Sequence, residues 1–287
     1  MSVDTNLSWR VGDVTITRVE ESVTPVPAAY LLPDITIEQI DAERPWISPF
    51  FTADGDLLLS VHSFVVRSGG TTAVVDTCAG LHEGRPLDGD PTFLGRLADA
   101  VDGGLDAVDV VVCTHLHFDH IGWNTVRDAA GAWVPAFPNS RYLITEAELD
   151  GFDDRDEGDV APTSLTPLAE AGVLDRVGLD HRITPEVRLL PTTGHTPGHV
   201  SVLIESNGAV GLITGDATHS PIQFTHPELA AARVDHDAAA STATRRGLVS
   251  RFVDTDTLIL GTHFAPPTAG VLCGGADGAP RLSPRDG

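Results

Sequence analysis

Apolar and polar positions along this chain follow two rhythms. Short runs rich in Val, Leu and Ile at residues 72–75, 108–112, 187–190, 200–204, 210–214 and 258–260 read as buried strands, being too short for helices and mostly closed by Gly, Asp, Thr or Pro. Helical periodicity runs over residues 91–101, opened by Asp90 as a cap, and over 238–252, with a shorter stretch near 163–171. Strands interleaved with helices predict the α/β class. A length of 287 residues with 41% hydrophobic content supports one substantial core, so one domain over residues 1–287 is expected.

One apolar stretch fits neither rhythm. Residues 25–51 hold Pro25, Pro27, Tyr30, Leu31, Leu32, Trp46, Ile47, Phe50 and Phe51, a composition that does not usually stay in water.

The loops that leave these strands carry chemistry. After the valines of 108–112 the chain reads Thr-His-Leu-His-Phe-Asp-His-Ile-Gly-Trp, so His115, His117, Asp119 and His120 fall within six positions, on a loop leaving a strand end. Packing alone gives no reason for such density. Imidazole and carboxylate together suit zinc, manganese or iron, and each histidine then needs a partner for its second ring nitrogen. Further candidates stand after other strands: Gly194-His195-Thr196-Pro197-Gly198-His199, then Gly215-Asp216, then Gly261-Thr262-His263. Ligands presented along one sheet edge predict a site there.

These motifs, in this order, resemble the metallo-β-lactamase superfamily, with the match running from about residue 57 to 265. The resemblance implies a four-layer αββα sandwich with two divalent metal ions at one edge between the sheets. Zinc is the expected metal, with iron, manganese or cobalt as alternatives. Position by position, His115, His117 and His199 would hold one metal and Asp119, His120 and His263 the other, with Asp216 bridging. His195 resembles a packing or supporting residue, and Asp76 the superfamily's support for the site. Two metals about 3.5 to 4 Å apart would share a water and lower its pKa, so that a bridging hydroxide attacks the substrate. Asp119 and His219 are the candidate catalytic side chains.

The branch it resembles holds N-acyl homoserine lactonases and methyl parathion hydrolase-like enzymes, implying attack on a carboxylic ester, a lactone or a phosphotriester. Where the well-known lactonases carry a tyrosine that assists the substrate carbonyl, this chain has His219, and there the parathion hydrolase branch resembles it better. A histidine can still donate a hydrogen bond or act as an acid. A glyoxalase II-like thioesterase and a mono-iron persulfide dioxygenase-like oxidoreductase are the competing activities. A binding protein with a degenerate site is the remaining one, but all seven ligand positions are filled. Stretch 25–51 resembles the extension that dimeric members lay over an active site, which predicts a homodimer.

Charge narrows the partners to small molecules. The net charge is −23 and all eighteen basic residues are arginine, a surface that repels nucleic acid. The acid run at residues 150–159, with Asp153, Asp154, Asp156 and Glu157, lacks calcium-loop spacing and reads as a solvated loop. Phe118, Trp123, Phe264, Pro266 and Pro267 are expected to wall an apolar substrate pocket. Cys78, Cys113 and Cys273 have no CxxC spacing and read as buried small hydrophobes. No signal peptide or membrane span is visible, so the expected location is cytoplasmic.

Overall fold

The computed structural model describes residues 7–81, 89–152 and 160–287. In chain order the first strands are β1 (Ser8–Val11), β2 (Val14–Val26), β3 (Leu57–Ser68), β4 (Thr71–Val75) and β5 (Val110–Val112). Then come β6 (Thr125–Arg127), β7 (Trp133–Pro135), β8 (Arg141–Thr145), β9 (Leu174–Val177) and β10 (Val187–Pro191). The last are β11 (Val200–Ser206), β12 (Ala209–Ile213), β13 (Leu258–Leu260), β14 (Ala269–Gly274) and β15 (Pro280–Pro284).

They form a seven-stranded sheet, β1-β2-β3-β4-β5-β8-β9, a six-stranded sheet, β10-β11-β12-β13-β14-β15, and a ribbon of β6 and β7. One core lies between the large sheets, with Ile16, Phe64, Val75 and Val112 of the first facing Val200, Val202, Ile213 and Leu260 of the second. A second core covers the first sheet's outer face with Phe93 and Leu97 of helix Phe93–Asp99. A third covers the second sheet with Ile40 and Ile47 of helix Ile37–Ile47 and with Leu248 and Phe252 of helix Ala238–Phe252. These are the four layers that the motifs imply.

Strand direction places the site. β4, β5 and β8 run parallel, so they end on one edge of the first sheet, and β12 and β13 do the same in the second. Two antiparallel steps separate β10 from β12, so β10 also ends there. In open sheets the carboxyl ends of parallel strands are where ligands bind. The backbone N–H of Val200 donates to the Thr114 carbonyl at 3.1 Å, joining the two sheets at that edge.

Several expectations shift. Helix Ala238–Phe252 stands where periodicity put it, with the Asp237 carboxylate accepting from the N–H groups of Ala239 and Ala240. The helix expected over 91–101 spans only Phe93–Asp99, and Asp90 instead holds the Thr92 N–H just before it. Near 163–171 a π-type turn, Ala161–Leu165, precedes a short helix, Thr166–Glu170. Strands β1 and β2 precede the apolar stretch 25–51, which is therefore an excursion between paired neighbours, Val26 lying opposite Leu57. Most of its apolar groups, among them Leu32, Ile47, Phe50 and Phe51, are buried against the second sheet's outer core, leaving Tyr30 and Ile37 exposed. Cys78 and Cys113 are buried, but Cys273, near the end of β14, is exposed. Acidic residues 153–159 lie outside the described residues. Among the described residues no helix is long and apolar enough to cross a membrane.

Candidate metal centre

Two groups of side chains meet at the shared edge. One ligand atom each from His115, His117, His195 and Asp216 lies within 4.8 Å of the others, and the same holds for Asp119, His120 and His263. Asp216 touches both groups: one carboxylate oxygen is 3.3 Å from Nε2 of His120 and of His195, and the other is 3.2 Å from Nε2 of His263.

Hydrogen bonds fix which ring nitrogens face inward. Carboxylate and carbonyl oxygens only accept, so Nδ1 of His120 donates to Asp76 at 2.9 Å and Nδ1 of His263 to the Ser60 carbonyl at 2.8 Å. The Thr114 hydroxyl gives its proton to Asp76 at 2.8 Å, so its oxygen accepts from Nδ1 of His115 at 3.0 Å. All three imidazoles are left with an Nε2 lone pair to present. Nε2 of His115 is buried with no hydrogen-bond partner, and those of His120 and His263 face each other at 3.2 Å. Such convergence is unfavourable unless a cation or a proton sits between them. The donor set of imidazole and carboxylate therefore fits borderline divalent metal ions.

Electrostatics shows the same demand for positive charge. Burial pulls the His120 imidazolium down, but Asp216, Asp119 and Asp76 together outweigh it and hold its pKa well above the ordinary value. Burial likewise opposes charge on His195, yet the hydrogen bonds to Asp216 and Asp235 lift it to about 9. At His115 and His117 burial, joined by the neighbouring imidazoles, outweighs Asp216 and holds both well below the ordinary range. Burial raises the Asp216 carboxyl, but His120, His263, His219 and His115 outweigh it and keep it strongly depressed.

Local backbone makes this possible. Asp76 follows β4 with φ of +57°, a left-handed conformation costing roughly 1–3 kcal/mol that aims its carboxylate at the Thr114 N–H, the Thr114 hydroxyl and His120. Gly215 has φ of +53°, and a Cβ there would lie 2.6 Å from Nε2 of His199, so only glycine lets Asp216 turn in beside that ring.

His199 is the main correction. Expected as a ligand, it donates through Nδ1 to the Thr192 carbonyl at 3.0 Å and accepts the Asp216 N–H on Nε2 at 2.8 Å. Both nitrogens are spent on holding the Gly215-Asp216 turn. His195, set aside as a supporting residue, occupies the expected place, with Nε2 2.9 Å from Nδ1 of His117. The aromatic expectation also changes: Phe264 is buried in the core between Phe50 and Phe224, and Trp123 is buried with its indole N–H on Glu21 at 2.6 Å. Phe118 packs half-buried against the first sheet's outer core. His219 places Nε2 3.1 Å from Asp216 and leaves Nδ1 buried without a partner.

Two supporting carboxylates escaped the motif reading. Glu148, 4% exposed, accepts from the Leu116 N–H, the Thr196 hydroxyl and the Gly198 N–H, tying the first histidine loop to the second. A signal was present, since Thr145-Glu-Ala-Glu148 has the spacing of a helix-capping box, in which a glutamate at this position usually reaches back to the cap. Asp235 sits behind His195 at 3.0 Å, forty residues further along the chain and beyond any motif spacing.

Comparison with known proteins agrees with this geometry. The sequence profile of the metallo-beta-lactamase superfamily matches residues 57–263. An N-acyl homoserine lactonase from Bacillus cereus is 32% identical over 136 residues, covering 47% of this chain and 48% of that protein. The chain thus spans about half the length of the curated relatives it matches. Among solved structures, the hydrolase AbOPH of the beta lactamase superfamily superposes with a TM-score of 0.81 at 22% identity, covering 99% of both chains. AidC, a dizinc quorum-quenching lactonase, gives 0.78 at 19% identity over 98% of this chain and 97% of its own.

Proposed function

The chain belongs to the metallo-beta-lactamase superfamily, and on that footing we propose that it is a dinuclear metal-dependent hydrolase of carboxylic esters or lactones. The observation that carries this reading is the convergence of the His115, His120 and His263 Nε2 atoms on Asp216, with each Nδ1 proton already committed elsewhere. His115, His117 and His195 would hold one ion, Asp119, His120 and His263 the other, and Asp216 both. When bound, the ion pair supplies Lewis acidity that makes a water nucleophilic near neutral pH and polarises an acyl oxygen.

The chain's own residues do the rest. Asp76 and the Ser60 carbonyl keep His120 and His263 in the tautomer that binds through Nε2. Asp119, whose side chain is 14% exposed against 4% or less for His115, His120, His195, His263 and Asp216, stands with the partly exposed His117 on the open side of the cluster, where a carboxylate can take a proton from the attacking water. Nε2 of His219 faces the Asp216 carboxylate at 3.1 Å and so carries the proton of the neutral ring, which leaves its buried, unpartnered Nδ1 as an acceptor for a substrate N–H or O–H. The named relatives, lactonases at modest identity, support a lactone or ester over other substrates. The apolar exposure of Tyr30 and Ile37 supports, more weakly, association into a dimer.

Metal analysis paired with a turnover panel tests the reading. Two divalent ions per chain are expected, with hydrolysis of lactones or aryl esters exceeding that of thioesters and phosphotriesters. Asp216→Ala should abolish both the second ion and turnover. Turnover that survives in that variant after chelation would overturn the proposal, and so would thioester hydrolysis outrunning all other substrates.

A further inference from the structure

Each metal group contains one histidine backed by a buried carboxylate. In the group of Asp119, His120 and His263 it is His120, held by Asp76. In the group of His115, His117 and His195 it is His195, whose Nδ1 lies 3.0 Å from Oδ1 of Asp235. Because the carboxylate can only accept, Nδ1 of His195 carries the proton and Nε2 is aimed at His117 and Asp216.

The carboxylate is itself fixed on every side. The side chains of Asp235 and Arg245 are both fully buried, with Nη1 of Arg245 3.8 Å from Oδ2 of Asp235. Oδ2 accepts the Ala231 N–H at 3.0 Å, and Oδ1 accepts the Ser241 hydroxyl at 3.2 Å, while that hydroxyl oxygen accepts from Nη1 of Arg245 at 2.7 Å. The backbone is tied down as well: the N–H groups of His236 and Asp237 donate to the carbonyls of His195 and Gly194, at 2.8 and 2.9 Å. Gly194 has φ of +128°, and a Cβ there would lie 2.2 Å from the Ser241 nitrogen, so the start of helix Ala238–Phe252 rests directly on the loop of His195.

We propose that Asp235 is a positioning residue for His195, locked by Arg245 and Ser241, and that it controls metal affinity chiefly at the His115, His117 and His195 group. The inference rests on the dinuclear reading above. A neutral imidazole could turn its ring or take the other tautomer; a buried carboxylate behind Nδ1 forbids both and makes Nε2 a stronger donor. Partners of this kind typically set affinity by about 10- to 100-fold. Among the described residues Asp235 makes no direct contact with His120 or His263 and reaches them only through His195 and the shared Asp216, so the second group should register its loss far less.

The test is chelator competition on the purified full chain loaded with zinc, reading the two binding constants separately. Asp235→Ala should weaken one constant about 10- to 100-fold and the other much less. Asp235→Asn, which keeps size and one acceptor, should weaken the same constant less. Asp237→Ala removes the neighbouring helix cap, so it should lower the melting temperature with both constants intact. Should Asp235→Ala not fold, Asp235→Asn carries the test. Unchanged constants in the variant that folds, or equal loss at both positions, would overturn the proposal. If the unmodified chain binds no divalent metal, the dinuclear reading fails instead, a distinct result.

Discussion

The two histidine loops differ in how far spacing alone determines their chemistry. In the first, His115 to His120, every expected ligand faces the candidate metals. In the second, His195 to His199, the two histidines are separated by a Thr-Pro-Gly turn and only one faces inward. The cause lies outside the second loop. Gly215 leaves room for the His199 ring beside the Asp216 N–H, and the Thr192 carbonyl takes its other nitrogen. Asp235 waits behind the ring of His195. Motif spacing brings both rings to the site, and the groups across from them decide which ring faces the cluster and which braces the Gly215-Asp216 turn.

Exchanging the roles by mutation gives the largest expected effect. His195→Ala should lower turnover by roughly a thousandfold, the scale of removing a group that stabilises the reacting charge directly. It should also bring metal content from two equivalents towards one. His199→Ala should keep both equivalents under saturating metal. Should metal content fall in His199→Ala and hold in His195→Ala, the comparison is inverted and the ligand set proposed above is wrong.

His199→Ala should cost stability instead. It removes a fully buried ring and two hydrogen bonds, and it strips the partner from the Asp216 N–H, a loss of about 2–4 kcal/mol. Urea denaturation of the metal-free protein reads this directly. A loss below about 0.5 kcal/mol, the scale of an ordinary surface change, would mean that His199 braces nothing.

Much of the scaffold was legible because short apolar runs closed by Gly, Asp or Thr mark strands whatever their partners, as at Leu258–Leu260. Candidate ligands were legible because histidine and aspartate cluster with no packing reason. Strands β1, β2, β3, β6, β7, β8, β9, β14 and β15 were not read from the sequence; in β2 a bulge between Glu20 and Ser22 breaks the alternation, and the apolar stretch after it draws attention away. Trp123 and Phe264 were misplaced because an aromatic beside a motif serves a pocket wall and a core equally well. Glu148 and Asp235 lie among many acidic residues, and only tertiary packing distinguishes a buried carboxylate from a solvated one. Their partners, the backbone of Leu116 and the ring of His195, are 32 and 40 positions away.

The smallest effect separates the loops by what supports them. Glu21, 6% exposed, accepts the N–H groups of Ala79 and Asp90 and the Trp123 indole, bracing the chain where it leaves the first loop. At the second loop, the Thr145 hydroxyl donates to the Gly198 carbonyl at 2.8 Å, a support that does not titrate. Burial raises the Glu21 carboxyl above its ordinary value, with the hydrogen bonds from Trp123 and the backbone pulling back only in part. A carboxyl raised in the folded state binds its proton more tightly there than in the unfolded chain. Its contribution to stability is therefore fully present below the unfolded pKa and is lost as pH rises through the folded value. The stability gap between the unmodified chain and Glu21→Gln should thus be widest near pH 4 and narrow towards neutrality, whereas the gap to Thr145→Ala should stay level. Urea midpoints across that range read both. A Glu21→Gln gap that widens with pH would mean that its donors outweigh burial and hold it as an anion, and the first loop would then rest on a charge rather than on a shared proton.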